Sequence, residues 1–458
     1  MADDDIESKL PRDLLFMSEK IQGFNRNRFR IEPLSAQTAT AGRVITVNLP
    51  ENALLDMTSF RFNYKMDCGN NSSASCVGLI PESSDAVIGN LEVYMNGIQV
   101  QQSSQEYNTL AHALRLGGDS QDNQRTKGRL VNHSAIFPAV IDENAFDSSG
   151  NGTGEIASMC VDSWAGFLNQ LSTKYLPTDL LGQIQIRITL APNSILSGAT
   201  TALKASALTA TQTATPPTYS LSDMYFTIDS IVMGDSYNRL LRSSLERSVL
   251  PLNYNEYYTF NLPAQTGTSH TNRFSLSSGS IDKILAINRA TTHTTFGAAT
   301  DLAPTATEIS PLSAVGNELV SKYLTCESFK ASGERDSVDG TLRYQFDVNN
   351  VKYPQYEATN SEAMADVAFL NDKQGMGSQG IIVSSPTAFC RAQAVYGLQL
   401  NHRGMGLSTV SGYNSRGINS SISFTMKGVS ATSKDNTCFV QTTAQMRIGS
   451  GRQVSVSF

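Results

Sequence analysis

Apolar and polar positions alternate with a period of two over much of the chain, which places one set of side chains on the buried face of a sheet. The cleanest case is residues 183–190, QIQIRITL, with four apolar teeth. Residues 43–50 (RVITVNLP) end on a proline stop, and residues 59–64 (SFRFNY) and 225–232 (YFTIDSIV) also read as strands. Residues 91–100, LEVYMNGIQV, alternate on both sides of Asn96-Gly97, a pair that tolerates the positive φ angles of a tight hairpin. A helix is predicted next, with Tyr107, Leu110 and Leu114 on one face and Gly117 able to stop it. The second half repeats this plan. Residues 344–353, YQFDVNNVKY, surround Asn349-Asn350 and lead into a helical pattern from Ser361 through Met364, Val367 and Leu370 to Asn371. Asn96, Gly97, Asn349 and Asn350 are expected to be structural turns, not ligand sites.

Four stretches recur in the same order. Residues 45–50 (ITVNLP) match 258–263 (YTFNLP), the two Asn turns match each other, the strand at Ile184 matches 421–426, and the strand at Phe226 matches 439–448. Drift in their spacing is what loop insertions produce, so the chain reads as an internal duplication. The expected boundaries are an arm over 1–27, a first module over 28–248 and a second over 249–458. Residues 117–160 read as long polar loops with short ordered pieces, and the Ala/Thr/Ser-rich 197–217 as an exposed insertion. Two β modules with few helices point to sandwiches or barrels, and strands remote from their partners favour jelly-roll connections over meanders.

The arm has a different period. Leu10, Leu14, Met17, Ile21 and Phe24 recur at helical spacing, with Ser8 as a cap, Pro11 in the first turn and Gly23 near the end. This stripe precedes the first strand and belongs to neither module. The expectation is a helical arm that orders when its apolar side is covered, as a lattice contact would do.

Composition narrows the function. At 458 residues there is room for two cores, and charged residues make up 17%, below the usual quarter, so much surface is expected to face neighbours. A net charge of −6 without a Lys/Arg cluster argues against direct nucleic-acid binding. No apolar run approaches the ~20 residues that span a bilayer. The acidic start MADDD is unlike a signal peptide, so synthesis inside the cell rather than secretion is expected. Cys68, Cys76, Cys160, Cys326, Cys390 and Cys438 are scattered without C-x-x-C, and the sequons at Asn71, Asn151 and Asn419 are expected to be unused.

No catalytic pattern emerges. His112, His133, His270, His293 and His402 are isolated, and His112 reads as structural. There is no phosphate-binding loop and no nucleophile elbow. Asp56, Asp162 and Asp179 sit near turns, where capping explains them. Trp164 is the sole tryptophan, and Tyr254, Tyr257 and Tyr258 read as core or subunit contact. No cofactor, metal or enzymatic activity is expected.

Three motifs carry a family resemblance: residues 89–107 with their VYMNG centre, 175–192 (YLPTDLLGQIQIRITLAP) and 346–356 (FDVNNVKYPQY). In this order, across a duplicated chain, they resemble the double jelly-roll major capsid proteins of polinton-like viruses, virophages and related eukaryotic DNA viruses. The resemblance covers about 28–458. It implies an all-β fold of two eight-stranded jelly rolls side by side, and a homotrimer of pseudo-hexagonal outline tiling an icosahedral virion shell. It further implies partners among neighbouring capsomers and penton or minor capsid proteins, often with an internal membrane, and no catalytic residues. The shorter chain implies small outer loops. A receptor-binding or fibre-like virion protein is the runner-up reading; a β-sandwich carbohydrate-active enzyme would need a carboxylate pair that nothing selects.

Overall fold

The computed structural model describes residues 25–68, 76–118, 155–200, 216–232, 249–301, 319–326, 342–363 and 394–458, apart from short gaps within these stretches. Leu10, Leu14, Met17, Ile21 and Phe24 lie outside the described residues, as do 201–215 and most of the helical pattern after Ser361, where Glu362, Ala363 and Asp366 are helical.

Among the described residues, each module contains eight principal strands. In the first they are Asn25–Ile31, Val44–Asn48, Leu54–Cys68, Ile88–Met95, Ile98–Gln101, Glu155–Val161, Ile184–Leu190 and Tyr219–Val232. In the second they are Leu250–Gln265, Ser269–Phe274, Ile281–Ala290, Arg343–Val348, Val351–Ala358, Val395–Gln399, Ile422–Lys427 and Lys434–Gly449. Counting strands first to eighth, each module forms one sheet in the order first, eighth, third, sixth, and another in the order second, seventh, fourth, fifth. Every pairing is antiparallel, and chain neighbours are seldom sheet neighbours. This is a jelly roll, made twice.

The Asn turns behave as their residues dictate. Asn96 and Gly97 have φ 54° and 80°, Asn349 and Asn350 have φ 52° and 67°, and each pair links adjacent strands. Positive φ at both central positions is the signature of the type I′ hairpin. The two turns are also held alike. Asn96 N–H donates to the Gln183 carbonyl and Asn349 N–H to the Ser421 carbonyl, both 2.9 Å, just before the seventh strand of each module.

Two of the sequence matches need correction. Residues 45–50 and 258–263 are not counterparts, because the first stretch is a second strand and the other lies within a first strand. Period-two strands ending in proline resemble each other whatever their place. The match of Phe226 with Phe439 pairs the correct strands but slips by an odd number of residues. Phe226 stacks on Phe62 at 4.7 Å inside its own module, whereas Phe439 joins the core shared with the other module, and Cys438 and Val440 point into their own. Any odd slip exchanges the faces of a strand.

Boundaries shift as well. A strand begins at Asn25, ahead of the expected limit of the arm, because NRNRFRI is an exposed edge whose charges hide its alternation. Glu155–Val161 is a full strand inside the stretch read as loops; Met159 and Val161 are buried, but Ala157 and Ser158 weaken the pattern. Tyr107–Gly118 forms the predicted helix, with Tyr107 and Leu110 fully buried and Leu114 partly so.

Candidate functional site at the seam between modules

One hydrophobic cluster runs through the first module and across its boundary, joining Phe62 and Phe167 to Tyr254, Tyr257, Leu285, Ile287 and Phe439 of the second. A separate cluster around Phe346, Phe424 and Val440 fills the second module. The seam is therefore a true core, built by strand alternation. Leu285, Ile287 and Phe439 point out of the second jelly roll, while Ile284, Ala286 and Val440 point in.

Backbone pairing fixes the register of the seam. The Ser172 N–H donates to the Asn253 carbonyl at 2.8 Å and the Asn255 N–H to the Gln170 carbonyl at 3.1 Å, so 170–172 adds a short rung to the edge of the second module. The loop that presents it turns at Gly166, φ 88°, where an added Cβ would stand 2.7 Å from Gln101 Oε1. The Gln101 carboxamide is thus free to accept from Phe167 N–H at 3.0 Å. Tyr254 lays its ring edge-on to Phe167, centroids 5.3 Å apart, and donates its hydroxyl to the Val100 carbonyl at 2.6 Å. Tyr257 donates to Gln170 Oε1 at 2.9 Å. Burial pushes both phenols well above their ordinary range, so they stay protonated donors. The predicted tyrosine contact is thereby located for Tyr254 and Tyr257, while Tyr258 packs against the second module's own core.

Sequence reading missed the polar centre of the seam. Arg289 is fully buried, pairs with Glu106 of the first module, donates to Thr109 Oγ1 at 3.2 Å and lies 6.0 Å from the Tyr323 ring centre. Alternation puts Arg289 on one face with Leu285 and Ile287, but only the packed modules reveal that this face is the seam. A lone charge inside the apolar run 284–290 was the available signal.

Other polar side chains singled out by the sequence have local partners. Asp56 accepts from Thr58 N–H and Oγ1 as a turn cap, and also from Arg26 and Lys174. The Arg28 guanidinium holds the Asp229 carboxyl below the usual carboxylate range. Trp164 is buried and donates to the Phe60 carbonyl at 3.0 Å. Burial pushes His112 down to about 3. Among the described residues, no group of three or more His, Cys, Asp and Glu could hold a metal ion, and no helix is long and apolar enough to cross a membrane.

No protein-family model matches the sequence, and no curated protein matches it. Solved structures do. The PBCV-1 virus capsid, in a quasi-atomic model, is similar at TM-score 0.61 and 12% identity, over 97% of this chain and 99% of that one. The Faustovirus major capsid protein is similar at TM-score 0.56 and 8% identity, over 97% and 94%. A cryo-EM structure of the Sputnik virophage is similar at TM-score 0.50 and 10% identity, over 98% and 92%. The two jelly rolls and the seam that joins them therefore make up the double jelly-roll fold of viral major capsid proteins.

Proposed function

We propose that the chain is a major capsid protein whose homotrimers are pseudo-hexagonal capsomers tiling an icosahedral virion shell. The observation that carries this reading is the repetition of one eight-strand order in two modules joined by a buried seam. Three such chains present six similar corners, and a hexagonal outline tiles a surface. Closure is a heterologous contact that returns on itself after three copies. The trimer interface exceeds the ~2,000 Å² above which obligate assemblies fall. The role is structural rather than enzymatic, and assembly takes place inside the host cell with penton or minor capsid proteins and, in a membrane-lined virion, the inner lipid layer.

Within this reading the first module runs from its edge strand at Asn25 to 248 and the second over 249–458, and residues 1–24, the arm less the three residues that join this strand, face inward. The arm's Leu10, Leu14, Met17, Ile21 and Phe24 stripe locks neighbouring capsomers rather than the trimer. Electron microscopy of the purified protein under assembly conditions tests both parts. The full chain should build closed shells; a chain lacking 1–24 should stay soluble and trimeric but fail to build stable ones. Failure of the full chain to form any lattice refutes the capsid role. Shells of equal stability from the truncated chain refute the arm.

A further inference from the structure

The seam is locked by a backbone rung, and the chain holds both halves of a second rung that no pairing joins among the described residues. In the seam, the Ser172 N–H donates to the Asn253 carbonyl and the Asn255 N–H to the Gln170 carbonyl, with Leu171 opposite Tyr254. The added segment lies between the sixth and seventh strands of one module, and the edge that receives it is the first strand of the other.

The first strand of the first module, Asn25–Ile31, ends its own sheet. It pairs with Tyr219–Val232 on one side, and among the described residues no strand pairs with its other side. That open edge presents backbone groups where a rung needs them. Asp229, opposite Arg28, turns its N–H away to Ser59 Oγ of the third strand at 2.8 Å. Arg28 and Asp229 are therefore a non-hydrogen-bonded pair, so the Arg28 N–H and carbonyl point out of the sheet edge. Those of Arg26 and Arg30, two residues to either side, point the same way. Arg26 and Arg28 thus flank Asn27 as Asn253 and Asn255 flank Tyr254. The ion pairs of the arginine side chains with Asp229 and Glu32 leave this backbone untouched.

The second module carries the matching segment. Residues 410–412 lie between its sixth and seventh strands, as 170–172 do in the first module. Both segments run into a short contact with the start of their own third strand: Tyr175–Pro177 pairs with Leu54–Asp56, and Tyr413 bridges Ile281. Leu171-Ser172 precedes one contact and Val410-Ser411 the other. They differ in coverage. Leu171 packs against the shared core, whereas Val410 is 49% exposed. Phe29, on the same face of the edge strand as Asn27, is 41% exposed. Each half of the second rung leaves a large apolar side chain in water.

We propose that Val410-Ser411 of one copy of this chain adds a rung to the open edge at Arg26–Arg28 of another copy, with Val410 opposite Asn27 and diagonal to Phe29. The inference rests on the trimeric reading and names a contact that closes it. Each chain offers one segment and one edge, so copies join head to tail. The same contact caps a strand edge that would otherwise invite uncontrolled pairing.

Cysteine cross-linking of the full-length protein tests this. Opposite residues of a non-hydrogen-bonded pair lie about 4.5 Å apart at Cα, within disulfide reach. Asn27 and Val410 are both exposed, so Asn27→Cys/Val410→Cys should fold with unchanged far-UV circular dichroism. Mild diamide oxidation should then give species of two and three chain masses on a non-reducing gel, while each single variant stays unlinked. Without oxidation, Val410→Asp should weaken self-association at least tenfold in sedimentation, and Val410→Ile should not. Trimers that give no link between chains, or that tolerate Val410→Asp, overturn the inference and leave the trimeric reading standing. A link in either single variant, or within one chain as a faster-migrating monomer, also overturns it. An unaltered protein that is monomeric at every concentration overturns the trimeric reading and this contact with it.

Discussion

Gly97 shows how much a single backbone angle decides. Its φ of 80° lies in the left-handed region, and an added Cβ would meet nothing within 4 Å, so any penalty there is conformational rather than steric. Gly97→Val should cost about 1–2 kcal/mol, the left-handed penalty of a residue with a Cβ, more for a branched one. Gly97→Asn should cost much less, because Asn350 already occupies the matching position at φ 67°. Conversely, Asn350→Gly should be tolerated. Thermal melting of the three variants checks the order; equal melting temperatures for Val and Asn at position 97 would refute it. These turns were legible because two adjacent residues encode them. The ion pair of Arg289 with Glu106 was not, since its partners are 183 residues apart. Glu106→Gln leaves Arg289 buried without its counter-charge and should cost about 3–5 kcal/mol in denaturant unfolding. Arg289→Met should cost less, because the Glu106 side chain is 22% exposed and keeps some contact with water. Buried histidines set the response to acid. His112 is neutral when folded, its value of about 3 lying below the unfolded ~6.5. The stability tied to that neutrality is complete above pH 6.5 and drains as pH falls toward 3, by up to ~1.4 kcal/mol per pH unit. His270 and His293 are lowered by burial too and act in the same direction; buried Asp282, whose value is raised, acts in the opposite one. The melting temperature should therefore drop between pH 7 and 5, and less steeply in His112→Leu. A flat profile would contradict this.

Among the elements, strands with one buried face announced themselves. Ile184–Leu190 follows a strict inward alternation, and it was read within one residue of its observed limits. Strands at either extreme of burial did not. Asn25–Ile31 is exposed along nearly its whole length, and Lys434–Gly449 is buried at its first eleven positions because it has a core on one side and the seam on the other. Neither environment produces a period of two. The slip between Phe226 and Phe439 has the same origin. When both faces of a strand are apolar, the sequence no longer says which residue points inward, and only the partner strand decides. The seam rung should behave as an element of its own. Gly166→Val brings a branched side chain into a positive-φ position and onto Gln101, which would displace the 166–172 loop from Asn253 and Asn255. Faster amide exchange at Asn255 than in the unaltered chain, with the second module's own core still protected, is the expected outcome. Equal exchange at Asn255 in both proteins would show that the rung does not depend on this turn.

For the whole molecule, duplication and seam together explain why one chain holds two similar modules at one fixed disposition. Order of motifs revealed the duplication, since strand order is preserved while loop lengths drift. Which face of each module meets a neighbour was hidden, because it is a property of folded sheets rather than of any segment. In the function proposed above, the double jelly roll is a subunit of a closed three-copy ring. Native mass spectrometry of the full-length protein at low salt, paired with two-dimensional class averages from electron microscopy, tests it most directly. A closed ring of three gives a species with the mass of three chains and a six-lobed outline. A particle with the mass of one chain and two lobes, stable at micromolar concentration, would contradict it.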